Sequence, residues 1–270
     1  MTIKMIATDI DGTLVNDDKK ITTRTLKALK AARDKGVYVV LCTGRPVSGI
    51  QNYLDELGLT GKNDYAITFN GAQAMNVGTN EIIFENDITY EEYVEFVKMS
   101  SNLNIKGQLV TSDSQLYVTD KDISKYSVID AFYTNMPLHY RSLDEVDNKI
   151  KGTKFMWVDD PEKIAQASNH IPQEIKDNYY VVLSAPWFLE FTNPLATKGN
   201  AVLELAKTLN IKRDEIMTIG DENNDLTMLE EVDLSVAMGN GNQRVKEVAT
   251  VITDDNNHDG LGKAVEKYVL

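Results

Sequence analysis

An Asp-x-Asp pair follows the first apolar run of the chain, Ile3–Thr8, in the stretch Asp9-Ile10-Asp11-Gly12-Thr13-Leu14. Two carboxylates at this spacing can share a cation, or one can attack an electrophile while the other transfers a proton. A solvated turn is the alternative, since Asp and Gly favour turns. An EF-hand calcium loop is excluded because Leu14 stands where that loop requires Gly. The pair is therefore a candidate catalytic or cation site.

Two further groups have the chemistry of anion binding. Thr43-Gly44-Arg45 follows the second apolar run, Val37–Cys42, and offers a hydroxyl with open backbone N–H groups. Arg45 could reach a second anionic group or pair with a carboxylate. Lys198-Gly199 opens a predicted helix, whose N-terminus already favours anions and gains a full positive charge from the lysine.

The fourth group is acidic and follows the apolar run Ile216–Ile219, in Gly220-Asp221-Glu222-Asn223-Asn224-Asp225. Three carboxylates within five positions repel one another unless a cation or a base lies among them. A calcium loop is again excluded, because Leu226 and Val232 occupy the positions that need Gly and Glu. This stretch is therefore predicted to take part in binding a metal ion.

The elements that must position these groups alternate between strand and helix. Apolar runs near residues 3–8, 37–42 and 65–69 are separated by stretches with helical spacing, and the same rhythm returns over residues 199–268. Such alternation predicts an α/β fold with a parallel sheet. Ligands bind at the carboxyl ends of such strands. The four groups are therefore expected to converge.

The middle of the chain has a different pattern, with a helix, paired short strands and further helices over roughly residues 84–191. This α+β stretch is long enough for a core of its own. We therefore predict a parallel-sheet domain formed by residues 1–83 and 192–270, with residues 84–191 inserted as a second domain.

Taken in order, the four groups resemble the motifs of the haloacid dehalogenase (HAD) superfamily of phosphatases. Asn70-Gly71-Ala72, residues 184–191 and Ala237-Met238-Gly239-Asn240 look like the Cof-type subfamily. Within it, nearly the whole chain is similar to the YidA-type sugar-phosphate phosphatases. The resemblance implies a Rossmann-like parallel-sheet core with an inserted α+β cap that covers the site as a lid.

The resemblance also implies a role for each matching residue. Asp9 would be the nucleophile, and Asp11 the general acid and then the base. Mg²⁺ would be bound by Asp9, Asp221 and the backbone carbonyl of Asp11, with Asp225 orienting a metal-bound water or Lys198. The phosphoryl oxygens would be held by the N–H groups of Ile10 and Gly44 and by Thr43, Lys198 and Asn224. Possible substrate contacts are Arg45, Asn70 and Gly71.

The expected function is a Mg²⁺-dependent phosphatase that hydrolyses small phosphorylated metabolites, sugar phosphates in particular, through an aspartyl phosphate. To act as an acid near neutral pH, Asp11 should have a raised pKa. Two alternatives stay open: a phosphoryl transferase or mutase of the same superfamily, and a non-enzymatic protein that binds phosphometabolites for regulation.

The amino-acid composition limits the kinds of partner and the cell compartment that we expect for this protein. The 270 residues carry 41 acidic and 28 basic side chains, a formal charge of −13, which argues against binding nucleic acid. A single cysteine, Cys42, fits a reducing, cytoplasmic compartment. The chain has no signal peptide pattern and no apolar run of the length that a membrane span needs. We expect a cytoplasmic monomer or homodimer.

Overall fold

The computed structural model describes residues 2–270, which divide into two compact units. The first comprises residues up to Phe84 together with Thr197–Leu270, and the second comprises Glu85–Ala196. The return crossing lies five residues later than residue 192, where the sequence places it. The reason is that Thr192 still belongs to a strand of the second unit, and Asn193 donates a hydrogen bond to the carbonyl of Asp87.

The first unit is built on one eight-stranded sheet. Its strands are β1 (Met5–Thr8), β2 (Tyr38–Cys42), β3 (Tyr65–Thr68), β4 (Gln73–Asn76), β5 (Ile82–Glu85), β12 (Ile216–Gly220), β13 (Leu234–Ala237) and β14 (Val251–Ile252). They lie in the order β14-β13-β12-β1-β2-β3-β4-β5, and β14 to β3 run parallel. β1 is central and completely buried, as its apolar sequence requires.

Helices cover both faces of this sheet. They are α1 (Thr23–Asp34), α2 (Gln51–Leu57), α7 (Lys198–Thr208), α8 (Leu226–Glu230), α9 (Gln243–Val248) and α10 (Gly260–Tyr268). On one face, Ile6 and Leu41 pack with Leu29 of α1 and Leu261 of α10. On the other, Ala7 and Val40 pack with α7. The α/β fold predicted from the alternating apolar runs is confirmed.

The second unit has a six-stranded sheet of its own. The strands are β6 (Gly107–Thr111), β7 (Leu116–Val118), β8 (Leu138–Tyr140), β9 (Gly152–Val158), β10 (Tyr180–Ala185) and β11 (Phe188–Thr192), in the order β10-β11-β9-β6-β7-β8. The helices are α3 (Tyr90–Asn102), α4 (Lys125–Thr134), α5 (Pro161–Ser168) and α6 (Gln173–Asn178). Side chains of α3, α5 and α6 pack on one sheet face around Phe96, Phe155, Trp157 and Phe191.

No helix within residues 2–270 combines the length and the apolar character that crossing a membrane would need.

Candidate active site

Asp9 lies at the carboxyl edge of the first unit's sheet, directly after β1. Its backbone N–H donates to the carbonyl of Ile219 in the neighbouring strand β12, 3.0 Å away. The chain then turns tightly, because the Ile10 carbonyl accepts hydrogen bonds from the N–H groups of Thr13, Leu14 and Val15. This turn brings the first and fourth sequence groups together at adjacent strand ends.

Gly12 shows how closely these two groups approach. It has a φ of +80°, and a Cβ atom built on it would lie 2.3 Å from Oδ2 of Asp221. Thr13 donates its hydroxyl to Oδ1 of the same carboxylate at 2.7 Å, so the glycine-threonine pair holds Asp221 in place. A side chain at residue 12 would therefore press on the Asp221 carboxylate and would have to adopt a backbone angle that favours glycine.

Lys198 connects two of the carboxylates. Its Nζ donates to Oδ1 of Asp9 and to Oδ1 of Asp225, both at 2.6 Å, and its side chain is fully buried. Burial alone would lower the pKa of Lys198, but the charges of Asp225 and Asp9 outweigh it and raise that pKa. Lys198 is therefore a fixed cation at the first residue of α7.

The carboxylates themselves lie in an environment that disfavours their charge. Burial raises the pKa of Asp9 to about 7, although Lys198 acts in the opposite direction and Asp225 adds to the rise. Burial likewise raises the pKa of Asp221 to about 6, against the hydrogen bond from Thr13. A cation beside them would stabilise the ionised form of both carboxylates and lower their pKa values.

One ligand oxygen each from Asp9, Asp221 and Asp225 lies within 4.8 Å of the others, a spacing that can hold a metal ion. Asp225 accepts more hydrogen bonds than the other two carboxylates, because its Oδ2 also accepts from the N–H groups of Asp221 and Glu222 at 2.8 and 3.0 Å. Asp225 thus fixes the backbone of the acidic loop as well as Lys198.

The second sequence group joins the same edge. Thr43 follows β2, and its backbone N–H donates to the Ile67 carbonyl of β3, while its carbonyl accepts from Asn70. The amide of Asn70 would lie 3.0 Å from a Cβ built on Gly44, and its Oδ1 accepts from Asn224 Nδ2 at 3.1 Å. Thr43, Gly44, Asn70 and Asn224 therefore lie together at this edge of the sheet.

Asn70 and Gly71 make the turn that connects this side to α7. Both have left-handed backbone angles, with φ of 56° and 99°. A Cβ on Gly71 would lie 2.2 Å from the carbonyl oxygen of Thr197, which is the N-terminal capping residue of α7. Gly71 therefore supports the start of the helix that carries Lys198.

Asp11 behaves differently from the sequence-based expectation. Arg45 donates to both of its oxygens, at 2.8 and 2.7 Å, and Lys19 donates to one of them at 2.8 Å. Partial burial would raise the pKa of Asp11, but the hydrogen bonds and charges of Arg45 and Lys19 lower it overall. The expected raised pKa is wrong here, because two cations stabilise the ionised form.

Thr13 and Asn240 contact the acidic part of the site, and like Lys19 they were given no role from the sequence. Thr13 binds Asp221, and Asn240 donates from Nδ2 to the Gly12 carbonyl at 2.8 Å and towards Asp221 Oδ2 at 3.4 Å. Asn240 is held in turn by the Asn256 N–H, which donates to its Oδ1. Both residues belong to stretches that carry the family resemblance, and that was the available signal.

Comparison with known proteins gives a consistent result along the entire length. The family profile of the haloacid dehalogenase-like hydrolases matches residues 6–265. YxeH of Bacillus subtilis strain 168, provisionally named a phosphatase, is 42% identical over 267 residues, which is 99% of this chain and 98% of that protein.

Solved structures are similar over the same extent. A haloacid dehalogenase-like hydrolase from Bacteroides thetaiotaomicron has a TM-score of 0.85 at 26% identity, covering 98% of this chain and 99% of its own. The subclass IIB sugar phosphatase BT4131 has a TM-score of 0.77 at 27% identity, covering 98% of both chains. On these matches, the chain belongs to the haloacid dehalogenase-like hydrolase family and is a phosphatase, a hydrolase of phosphate esters.

Proposed function

We propose that this phosphatase uses Mg²⁺ to hydrolyse small phosphorylated metabolites, in particular sugar phosphates, through an aspartyl phosphate on Asp9. The observation that carries the proposal is the buried bridge of Lys198 to Asp9 and Asp225 beside Asp221. Three carboxylates against one ammonium leave two negative charges uncompensated. Burying such a charge without a further cation is costly, and a divalent ion would balance it.

The donor set fits magnesium better than a softer metal. The ligand atoms are carboxylate oxygens, and the cluster contains neither a thiol nor an imidazole. Asp9 and Asp221 would bind the ion, together with the backbone carbonyl of Asp11. Asp225 would position rather than bind, because Lys198 and two backbone N–H groups already occupy its oxygens. When bound, the ion neutralises charge on the phosphoryl group.

The residues around the cluster suit phosphoryl transfer. In the first step an oxygen of Asp9 forms a bond to phosphorus while the ester P–O bond breaks, and the departing alkoxide takes a proton from Asp11. In the second step water attacks the phosphorus of the aspartyl phosphate and gives its proton to Asp11, while the P–O bond to Asp9 breaks; this releases inorganic phosphate and restores the Asp9 carboxylate. Lys198, Thr43, Asn224 and the Gly44 N–H would hold the phosphoryl oxygens throughout.

The ion pairs of Asp11 with Arg45 and Lys19 must change before Asp11 can donate a proton in the first step. Arg45 and Lys19 stabilise the ionised form of Asp11, whereas the first step needs its protonated form. We infer that binding of an ester draws at least one of these cations away from Asp11. Asp11 then faces the leaving group with a higher pKa than it has in the free protein.

The sugar-phosphate class is supported by the likeness to the sugar phosphatase BT4131, and the chain has a second compact unit, Glu85–Ala196, apart from the unit that carries the acidic cluster. Of the four sequence groups, none falls inside that unit. The first unit would therefore perform the chemistry, and the second would select the ester.

The test is turnover of p-nitrophenyl phosphate and a panel of sugar phosphates by wild type, Asp9→Asn and Asp18→Asn, with Mg²⁺ or with EDTA. Asp18 is an exposed aspartate of the loop after β1 and serves as the matched control. We expect turnover only with Mg²⁺, none by Asp9→Asn although that variant still folds, and normal rates for Asp18→Asn. Full activity in EDTA, or near-normal kcat for Asp9→Asn, would overturn the proposal.

A further inference from the structure

Helix α4 of the second unit has its polar side against the sheet and its apolar side exposed. Ser127 is completely buried, and Asp130 accepts a hydrogen bond from Gln108 of β6 at 2.6 Å. The large apolar side chains of the helix are all exposed: Val128, Ile129, Phe132 and Tyr133. A surface helix normally has the reverse arrangement, with its apolar side against the core. These four residues therefore contribute little to the core of the unit that carries them.

We call Val128, Ile129, Phe132 and Tyr133 the α4 face. Their spacing places them on one side of the helix as a continuous stripe. Phe132 and Tyr133 are each 81% exposed, and their rings meet edge to face with centroids 5.7 Å apart. Exposed aromatic side chains that cluster in this way are typical of surfaces that bind another protein.

The α4 face is large enough for two copies of the chain to pair through it. If a whole aromatic side chain offers about 200 Å² and an aliphatic one less, the four residues expose about 400 Å². Two such faces would bury about 800 Å² of apolar surface, which corresponds to about 1,200 Å² in all, since roughly two thirds of an interface core is apolar. Specific interfaces begin at about 1,000 Å². The area therefore suffices for a reversible dimer.

The shape of the α4 face favours an antiparallel pair of helices related by a two-fold axis. The two aliphatic residues lie towards the N-terminus of α4, and the two aromatic residues lie towards its C-terminus. In an antiparallel pair, Phe132 of each copy would pack against Ile129 of the other. Large side chains would then meet smaller ones on both sides of the axis, which is the arrangement that fills space best.

Charge favours the same partner. The chain has a formal charge of −13, so most of the surface of one copy repels another copy. The α4 face has no charged residue. Lys125 begins the helix with its ammonium 3.0 Å from Asp160, and it would lie opposite the C-terminal end of the other α4. Because the free carbonyl groups at a helix C-terminus carry partial negative charge, this contact would be attractive.

We propose that the α4 face binds the α4 face of a second copy of this chain, so that the protein forms a symmetric dimer through its second unit. The two helices run antiparallel, and Phe132 and Tyr133 contribute most of the affinity. The proposal concerns assembly and is independent of the chemistry at Asp9.

Sedimentation of the full chain over protein concentrations of about 1–200 µM measures this assembly. An interface of this size predicts a wild-type dimer with a Kd of about 1–100 µM. Phe132→Glu should raise that Kd at least about tenfold, because it places a carboxylate against apolar side chains. Leu183→Glu is the matched control, since Leu183 is 57% exposed on β10, whereas α4 packs beside β8 at the opposite edge of the sheet. It should leave the Kd within about twofold.

Cross-linking tests the orientation of the helices and does not depend on the glutamate variant. Cys42 is the only cysteine and is completely buried, so Ile129→Cys would carry the only accessible thiol. A short bismaleimide should join two copies of Ile129→Cys. It should not join copies of Gln166→Cys, an exposed position on α5, which packs on the other face of the sheet.

Three results would overturn the proposal: a monomer mass at every concentration, a dimer that survives Phe132→Glu, or equal cross-linking of the two cysteine variants. A fourth would be a Phe132→Glu variant with slower turnover of p-nitrophenyl phosphate and an unchanged mass, because the α4 face would then act within one molecule.

Discussion

The ammonium of Lys198 is completely buried between the carboxylates of Asp9 and Asp225. Replacing it should therefore lower both the stability of the fold and the activity. We expect Lys198→Met to lower the free energy of unfolding by about 3–5 kcal/mol near pH 8, because Asp9 and Asp225 would be left buried and uncompensated. Activity should be lost as well. Urea unfolding and turnover of p-nitrophenyl phosphate measure the two effects.

Lys207→Met supplies the control for this experiment, since Lys207 lies on the same helix α7 and is exposed. It should change stability by less than about 0.5 kcal/mol. If both methionine variants unfolded at the same urea concentration, the bridge of Lys198 would contribute nothing to the stability of the fold.

The raised pKa values of Asp9, about 7, and Asp221, about 6, predict competition between protons and Mg²⁺. A carboxyl with a raised pKa keeps its proton at a pH where an ordinary aspartate has lost it. Mg²⁺ must then displace that proton, so its apparent Kd should rise as the pH falls through 7 to 6.

Calorimetric titration of Mg²⁺ at about pH 8 and about pH 6, in buffers of different ionisation enthalpy, measures both the affinity and the protons released. We expect weaker binding with proton release at the lower pH and little release at the higher pH. Equal affinity at both values, with no protons released, would contradict the assignment of these carboxylates as ligands.

Asp11→Asn should separate the two chemical steps. Loss of a general acid–base group should slow turnover roughly 10²–10⁴-fold for an alkyl ester. With p-nitrophenyl phosphate the leaving group needs little protonation, so the first step should suffer least and phosphorylated Asp9 should accumulate. Mass spectrometry of the intact protein after acid quench would detect it. Equal slowing of good and poor leaving groups, with no adduct, would reject Asp11 as the acid.

The residues of the site were predictable to the extent that they follow strands. Asp9, Thr43 and Asp221 lie at the ends of β1, β2 and β12, and the topology of a parallel sheet brings such ends together. The partners of Asp11 could not be predicted in the same way. Lys19 and Arg45 have long, flexible side chains, and only the folded loops decide which carboxylate they reach.

Among the elements, the turn after β3 supports α7 by close backbone contact, and this gives a prediction about Gly71. Gly71→Ala should be destabilising for two reasons: its φ is 99°, and its Cβ would overlap the Thr197 carbonyl. We expect it to cost about 2 kcal/mol more than Gly36→Ala. Activity should fall too, because Thr197 caps the helix that begins with Lys198.

Gly36→Ala is the matched control, since Gly36 has a similar φ of 82° and open space where its Cβ would be. It should cost only the backbone strain, about 1 kcal/mol, and leave turnover unchanged. Denaturant unfolding and kcat of the two variants measure the difference. Equal losses would mean that the contact between Gly71 and α7 is easily relaxed.

Elements with a clear apolar run or helical spacing were predictable, and several short ones without such a pattern were not. The strands β1, β2 and β3 lie within the apolar runs near residues 3–8, 37–42 and 65–69, because each run is apolar and ends at polar residues or glycine. β8, α6, α9 and β14 were missed. They are two to six residues long, too short to show a period, and tertiary packing decides their conformation.

At the scale of the whole molecule, we propose that the first unit performs the chemistry and the second selects the ester. This proposal predicts the result of exchanging the second unit. A chimera that replaces residues 85–196 with the corresponding segment of BT4131 should rank sugar phosphates by kcat/KM in the order of BT4131. Its Mg²⁺ requirement and its loss of activity on Asp9→Asn should be unchanged. Steady-state kinetics on the common panel measure this. A ranking that stayed with the first unit would place specificity there.

The central pairing of the sheet has a consequence for the order in which the chain folds. β1 pairs with β12, so Met5 meets Ile216 across the whole inserted unit. Closing a disordered loop of roughly 110 residues costs about 4 kcal/mol in chain entropy. Within the second unit, however, Asn86 donates to the Leu195 carbonyl, and Asn193 donates to that of Asp87, so its two ends lie side by side.

Once folded, the second unit therefore holds the two chain segments that enter and leave it close together. It reduces a long-range closure to a short one, and the two halves of the catalytic sheet can then join. During synthesis the second unit is complete before Thr197 is added. At that stage β1 still lacks its neighbouring strand β12. We therefore expect the inserted unit to fold first and the hydrolase core to form last, as the chain is finished.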